Sequence, residues 1–132
     1  MKITRDHKNW NKLKEIIDSI DILVPFCERE LWQVALGINI GIEMDGKGDD
    51  FERPALVIKR VNKDHALIVP ITRKLILLPG IHISLVNSNL DKSSVAVISQ
   101  LQVVSNKRLM KRVGILSNDQ FSAVRKALKD FL

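Results

Sequence analysis

Apolar positions recur along this chain with two periods, and the change of period marks its elements. Between residues 9 and 20, Trp10, Leu13, Ile16, Ile17 and Ile20 recur at helical spacing on one face, and the other face is charged. The pattern predicts an amphipathic helix that packs on the chain's own core. Residues 21–26, with Pro25, end it. From there the period shortens to that of strands. Residues 30–36 are rich in strand formers, and 54–59 and 65–71 form two apolar runs around the polar turn 61–64. Residues 75–80 make an apolar connection closed by Pro79-Gly80. Residues 81–86 alternate strictly, with Ile81, Ile83 and Leu85 on one face and His82 and Ser84 on the other; Asn-Ser-Asn at 87–89 is a turn.

Two further strand-like runs, 94–98 and 101–105, are broken at Ser99-Gln100. Residues 106–110 suggest one helical turn, and 111–116 a last short strand. Ser117 to Gln120 is a capping box for a helix striped by Phe121, Val124, Leu128 and Phe131. Six or seven short strands joined by brief turns predict a mostly β fold, a small antiparallel barrel, because closure removes exposed edges. It carries an N-terminal amphipathic helix and a C-terminal helix.

Composition narrows the function classes. The chain has 132 residues, enough for one domain with a real core, and 45% of them are hydrophobic. No apolar run approaches the roughly 20 residues of a membrane span, and the polar N-terminus does not resemble a secretory signal. A single cysteine, Cys27, excludes a disulfide framework, fits a cytoplasmic setting and is expected as a small buried hydrophobe. The three histidines have no metal-ligand spacing to one another or to Cys27, so neither a metal nor another cofactor is expected.

The net charge of +6 is unevenly placed: residues 1–64 carry 11 Lys plus Arg against 12 acids, and residues 65–132 carry 10 against 3. A basic half of this kind suits nucleic acid or an acidic protein partner. Within it, Lys107-Arg108 and Lys111-Arg112 form a cluster that could track phosphates.

Candidate chemistry concentrates at one end of the predicted 53–73 hairpin. Arg53 stands just outside its first strand, with Thr72 and Arg73 just beyond its second, and antiparallel pairing brings these ends together. A guanidinium fork beside a hydroxyl makes a site for an anion, phosphate above all. The loop before it, 37–52, is rich in glycine and turns acidic over 44–52. Gly41, Gly46 and Lys47 there match the start of a P-loop. However, Gly48 replaces the Ser or Thr that would hold magnesium, no helical pattern follows, and Asp49 and Asp50 would repel phosphates.

Taken in order, these segments resemble the MazF/PemK toxins. The resemblance rests on Glu-Leu-Trp-Gln-Val-Ala-Leu-Gly at 30–37, Gly41-x-Glu43, Arg-Pro-Ala-Leu-Val-Ile at 53–58 and Pro-Ile-Thr at 70–72. It continues through Leu78-Pro79 with His82, residues 95–100, Lys-Arg-Leu at 107–109 and the capped closing helix. It covers residues 28–132, which leaves 1–27 as a helical extension. The resemblance implies an SH3-like barrel, a homodimer, metal-free cleavage of single-stranded RNA, and neutralisation by an acidic antitoxin. It places catalysis on Arg53 and Thr72, with Glu43, His82 and Gln100 near the RNA groove. Arg73, Lys107 and Arg108 would add positive potential. Glu43 and His82 are the candidates for general base.

Cleavage would use the substrate's own 2′-hydroxyl as nucleophile, with the protein orienting the attack and neutralising charge on the phosphate. A second reading keeps the fold without the cleavage: a module that binds RNA or antitoxin, suggested by the acidic loop and by the helix at 9–20.

Overall fold

The computed structural model describes residues 6–37, 45–46, 51–73, 77–85 and 94–132. Among these, two helices flank seven strands: α1 (His7–Asp18), β1 (Glu30–Ala35), β2 (Glu52–Arg60), β3 (His65–Thr72), β4 (His82–Leu85), β5 (Ser94–Val97), β6 (Gln102–Ser105), β7 (Leu109–Ile115) and α2 (Asn118–Phe131). Short 3₁₀ turns at Ile98–Gln100 and Asn106–Arg108 bend the chain into and out of β6. All strand pairs are antiparallel, in the order β4-β5-β3-β2-β1-β7, with β6 also on β3. The result is the barrel-like, mostly antiparallel α+β fold that the apolar alternation implied. No described helix is long and apolar enough to cross a membrane.

β3 is the hub of the sheet. One of its edges pairs with β2, while the other pairs with β6 over residues 65–68 and with β5 over Ile71 and Thr72. Pro70, which has no N–H to donate, falls at the seam between those two partners. Bulges at Ile58 in β2 and at two points of the β1–β7 pairing add the local twist that rolls the sheet.

Alternation along the strands builds two core layers. Leu31, Leu56, Val69 and Ile71 point to one face and are covered by Phe121, Val124 and Leu128 of α2. Trp32, Val34, Ala55, Val57 and Ile68 point to the other face, where Phe26 and Leu109 close the layer. The Ser117 hydroxyl caps α2 by accepting from the Gln120 N–H at 3.3 Å.

Some expectations need correction. The predicted apolar face of the first helix buries Trp10 and Ile17 and half-buries Leu13, but Ile16 and Ile20 are exposed. The helix docks along the narrow stripe 10, 13, 17; position 16 falls to its side, and Ile20 lies beyond the helix, which ends at Asp18. Phe131, at the end of the α2 stripe, is exposed as well. Cys27 is also exposed. It precedes the turn into β1, where its main chain is tied down although its side chain is not: the Cys27 N–H donates to the Glu30 carboxylate at 2.6 Å. The predicted turn at 87–89 lies outside the described residues.

Candidate active site

Register places the candidate pair. β2 and β3 align Ala55 with Pro70 and Leu56 with Val69, and the same register carried two residues outward sets Arg53 opposite Thr72. Both belong to the strands themselves and do not stand beyond their ends, so their backbones are held by the sheet. Arg53 is also opposite Val34 of β1, and Thr72 opposite Val95 of β5. Both side chains are buried.

Two main-chain carbonyls fix the guanidinium. Nε of Arg53 donates to the Asp45 carbonyl at 2.8 Å, and Nη1 to the Ile71 carbonyl at 3.4 Å. The second bond runs to the residue just before Thr72, which ties the fork to the hydroxyl-bearing strand. A guanidinium has five N–H donors, so this anchoring leaves capacity for an anion. Burial lowers the Arg53 pKa from its ordinary value, and the Asp45 charge partly opposes that shift. The group stays cationic near neutral pH, and its field is screened less here than at an open surface.

Arg53, Thr72 and Arg73 line a cavity of about 260 Å³ together with Gln33, Glu52, Pro54, Ile71 and Ser94. The exposed Arg73 therefore adds positive charge at the mouth of the same cavity. Gln33, Glu52 and Ser94 are contributions that sequence reasoning did not assign. Gln33 had a signal, as the single polar residue in the run 31–36. Glu52 had one only through its place before Arg53. Ser94 had none, because it comes close through the pairing of Val95 with Thr72.

The remaining candidates sit elsewhere. His82 begins β4, opposite Val97, and its Nδ1 accepts from the Leu78 N–H at 3.0 Å. It does not line the cavity, and neither does Gln100, half-buried in its 3₁₀ turn. Lys107 and Arg108 line a second cavity, of about 360 Å³, under α1 with Trp10, Lys14, Glu15, Ile17, Asp18 and Ser105. There Lys107 Nζ donates to the Asp18 carbonyl at 2.8 Å, and Arg108 Nη1 to the Ala35 carbonyl at 2.9 Å. Lys107 thus holds the C-terminal end of α1, and Arg108 the end of β1. Glu43 lies outside the described residues, as do residues 44 and 47–50 of the acidic loop.

A corner of the frame beside the site is built on a buried carboxylate. Glu30 accepts from the Cys27 N–H, from Trp32 Nε1 at 3.1 Å, and pairs with Arg112 Nε at 3.1 Å. It locks the start of β1 to β7 at one end of the strand that carries Gln33.

Comparison with known proteins places the chain in a family. A family model described as PemK-like, MazF-like toxin of type II toxin–antitoxin system matches residues 28–132. Among solved structures, MazF from Deinococcus radiodurans superposes with a TM-score of 0.65 at 20% identity, covering 83% of this chain and 96% of that one. An endoribonuclease in complex with its cognate antitoxin, from a mycobacterial species, gives 0.63 at 12% identity, covering 81% and 94%. The Mycobacterium tuberculosis toxin MazF-mt6 gives 0.59 at 19%, covering 78% and 95%. At such identities the likeness establishes the fold. None of the curated proteins matches this chain by sequence.

Proposed function

Because the chain belongs to the family of PemK-like, MazF-like toxins of type II toxin–antitoxin systems, we propose that it is a toxin endoribonuclease that cuts single-stranded RNA without a metal ion. The observation that carries the reading is the pairing of Arg53 and Thr72 at one end of the β2–β3 hairpin, lining one cavity with a second arginine at its mouth. A phosphate seated there meets a fixed cation, a hydroxyl and Arg73.

The reaction needs little else. The 2′-hydroxyl oxygen attacks phosphorus, the bond to the 5′-oxygen breaks, and the products are a 2′,3′-cyclic phosphate and a 5′-hydroxyl. Arg53 stabilises the charge that builds on the phosphate oxygens. It does not act as the general acid, since a guanidinium rarely gives up a proton. Thr72 donates to a phosphate oxygen and fixes the angle of attack. Glu52, the carboxylate among the residues lining the cavity, takes the 2′-hydroxyl proton, and the departing 5′-oxygen takes a proton from water. The protein works as a homodimer and is silenced by an acidic antitoxin, for which the basic second half of the chain is the matching surface.

Incubation with mixed-sequence RNA in EDTA tests the reading: fragments ending in 2′,3′-cyclic phosphate are expected. An intact substrate, or Arg53→Ala cutting as fast as the native protein, overturns it. Salt-dependent RNA binding without product would instead favour the non-cleaving module.

A further inference from the structure

We propose that α1 is a strut of the Arg53 cavity, with Trp10 as the positioning residue. The inference rests on the reading of that cavity as the cleavage site. It begins with a contrast along the helix: Trp10 is 4% exposed, whereas Ile16 on the same helix is 62% exposed. The indole is the anchor by which the helix is seated.

What Trp10 touches leads to the site. Gly37, at φ +75°, lies so close that a Cβ there would overlap the indole ring. Phe51 packs against the same ring at 5.7 Å, and the Arg108 guanidinium stacks on it at 5.5 Å. Phe51 is held at φ 54°, a left-handed conformation that a phenylalanine keeps only when its surroundings impose it. Glu52 and Arg53 follow it directly.

A ladder of main-chain bonds completes the path. The Gly37 N–H donates to the Phe51 carbonyl at 3.1 Å, and the Gly46 N–H to the Gly37 carbonyl at 2.8 Å. Gly46 adjoins Asp45, whose carbonyl receives Arg53 Nε. The indole therefore clamps the two segments, 45–46 and 51–53, that orient the guanidinium. No α1 residue lines the Arg53 cavity, so the helix acts as a brace from behind and not as a cover. The two roles have opposite signs: removing a cover raises cleavage, and removing a brace lowers it.

The test uses the full chain. Trp10→Ala should lower kcat for RNA cleavage at least tenfold with KM changed less than twofold, and Trp10→Phe should recover most of the rate. Ile16→Ala, on the exposed side of the same helix, should cut normally. Hydrogen exchange reads the clamp without reference to cleavage. In Trp10→Ala the Gly37 and Gly46 amides should lose protection, while the Ile98 amide, bonded to the Ile81 carbonyl at the far side, keeps it. If Trp10→Ala does not fold, Trp10→Leu keeps an apolar plug without the ring and is read by the same two amides.

Unchanged or increased cleavage in a folded Trp10 variant overturns the strut, and so does unchanged exchange at Gly37 and Gly46. If the native protein cuts no RNA, the cleavage reading falls by itself and the exchange data alone decide the strut.

Discussion

Arg53 reaches back eight residues to donate through Nε to the Asp45 carbonyl at 2.8 Å, and forward across the sheet to the Ile71 carbonyl. Two main-chain carbonyls thus set its orientation. Arg53→Ala should lower kcat/KM by about 100-fold or more, in line with the loss of a group that stabilises charge only in the transition state. Stability should change much less, because the charge removed was already desolvated. Single-turnover cleavage and a thermal melt on the same sample check both halves.

The same burial gives a pH prediction. The folded-state pKa of Arg53 is lowered relative to the unfolded chain, so its charged form costs stability in the fold. That cost is present throughout the range where both states are protonated and is relieved only as pH rises through the folded pKa. Arg53 therefore contributes no slope between about pH 6 and 9, since arginine in both states stays charged there. Arg53→Lys should cut more slowly and lose activity toward alkaline pH, because a buried ammonium releases its proton far more readily. Rate–pH profiles of the two proteins make the comparison; parallel profiles would refute it.

Thr72→Val keeps the shape and removes the hydroxyl. Its kcat should fall about tenfold, of order 1.4 kcal/mol in the barrier, while Thr72→Ser retains most of the rate. Steady-state kinetics on one synthetic RNA suffice.

Glu52→Gln should remove most of the rate at constant pH, as expected for loss of a proton acceptor worth about 10²–10⁴-fold. A Glu52→Gln variant that cuts as fast as the native protein would move the role to a residue outside the cavity.

Asn106 is 2% exposed and joins three parts of the chain. It accepts from the Val24 N–H at 3.0 Å and donates to the carbonyls of Val24 and Lys63. Asn106→Leu leaves those buried groups unpaired and should cost about 2–4 kcal/mol, lowering Tm by roughly 6–15 °C. Calorimetry measures it, and cleavage at a temperature well below Tm should be nearly normal.

Much of the frame was legible because strands write their burial directly into alternation. The 54–59 and 65–71 runs lie within β2 and β3, and the break at Ser99-Gln100 is the 3₁₀ turn between β5 and β6. The Ser117 cap was read from residue types alone because its partner is three residues away. What escaped depends on contacts between distant segments. Nothing near Lys107 and Arg108 announces that both serve the C-terminal end and the indole of α1. The helical period of α1 overstated its buried face, because periodicity marks a side and not the width of the contact. Ser94 joined the cavity only through strand pairing, and Asp45 reaches Arg53 through its carbonyl, a group every residue has.

β3 pairs with β2 across a turn of a few residues, whereas β1 meets β7 with Glu30 opposite Ile115. These separations set an order of assembly on the ribosome. The hairpin that carries Arg53 and Thr72 can zip as soon as it emerges, since local closure is fast. The frame that holds β1 in place, and with it Gln33 and Val34 beside the hairpin, waits for residues 109–115, and the core layer under α2 waits longer still. A nascent chain of this protein therefore carries the Arg53–Thr72 hairpin, while residues 73–108 are being added, without the strand that holds β1 beside it.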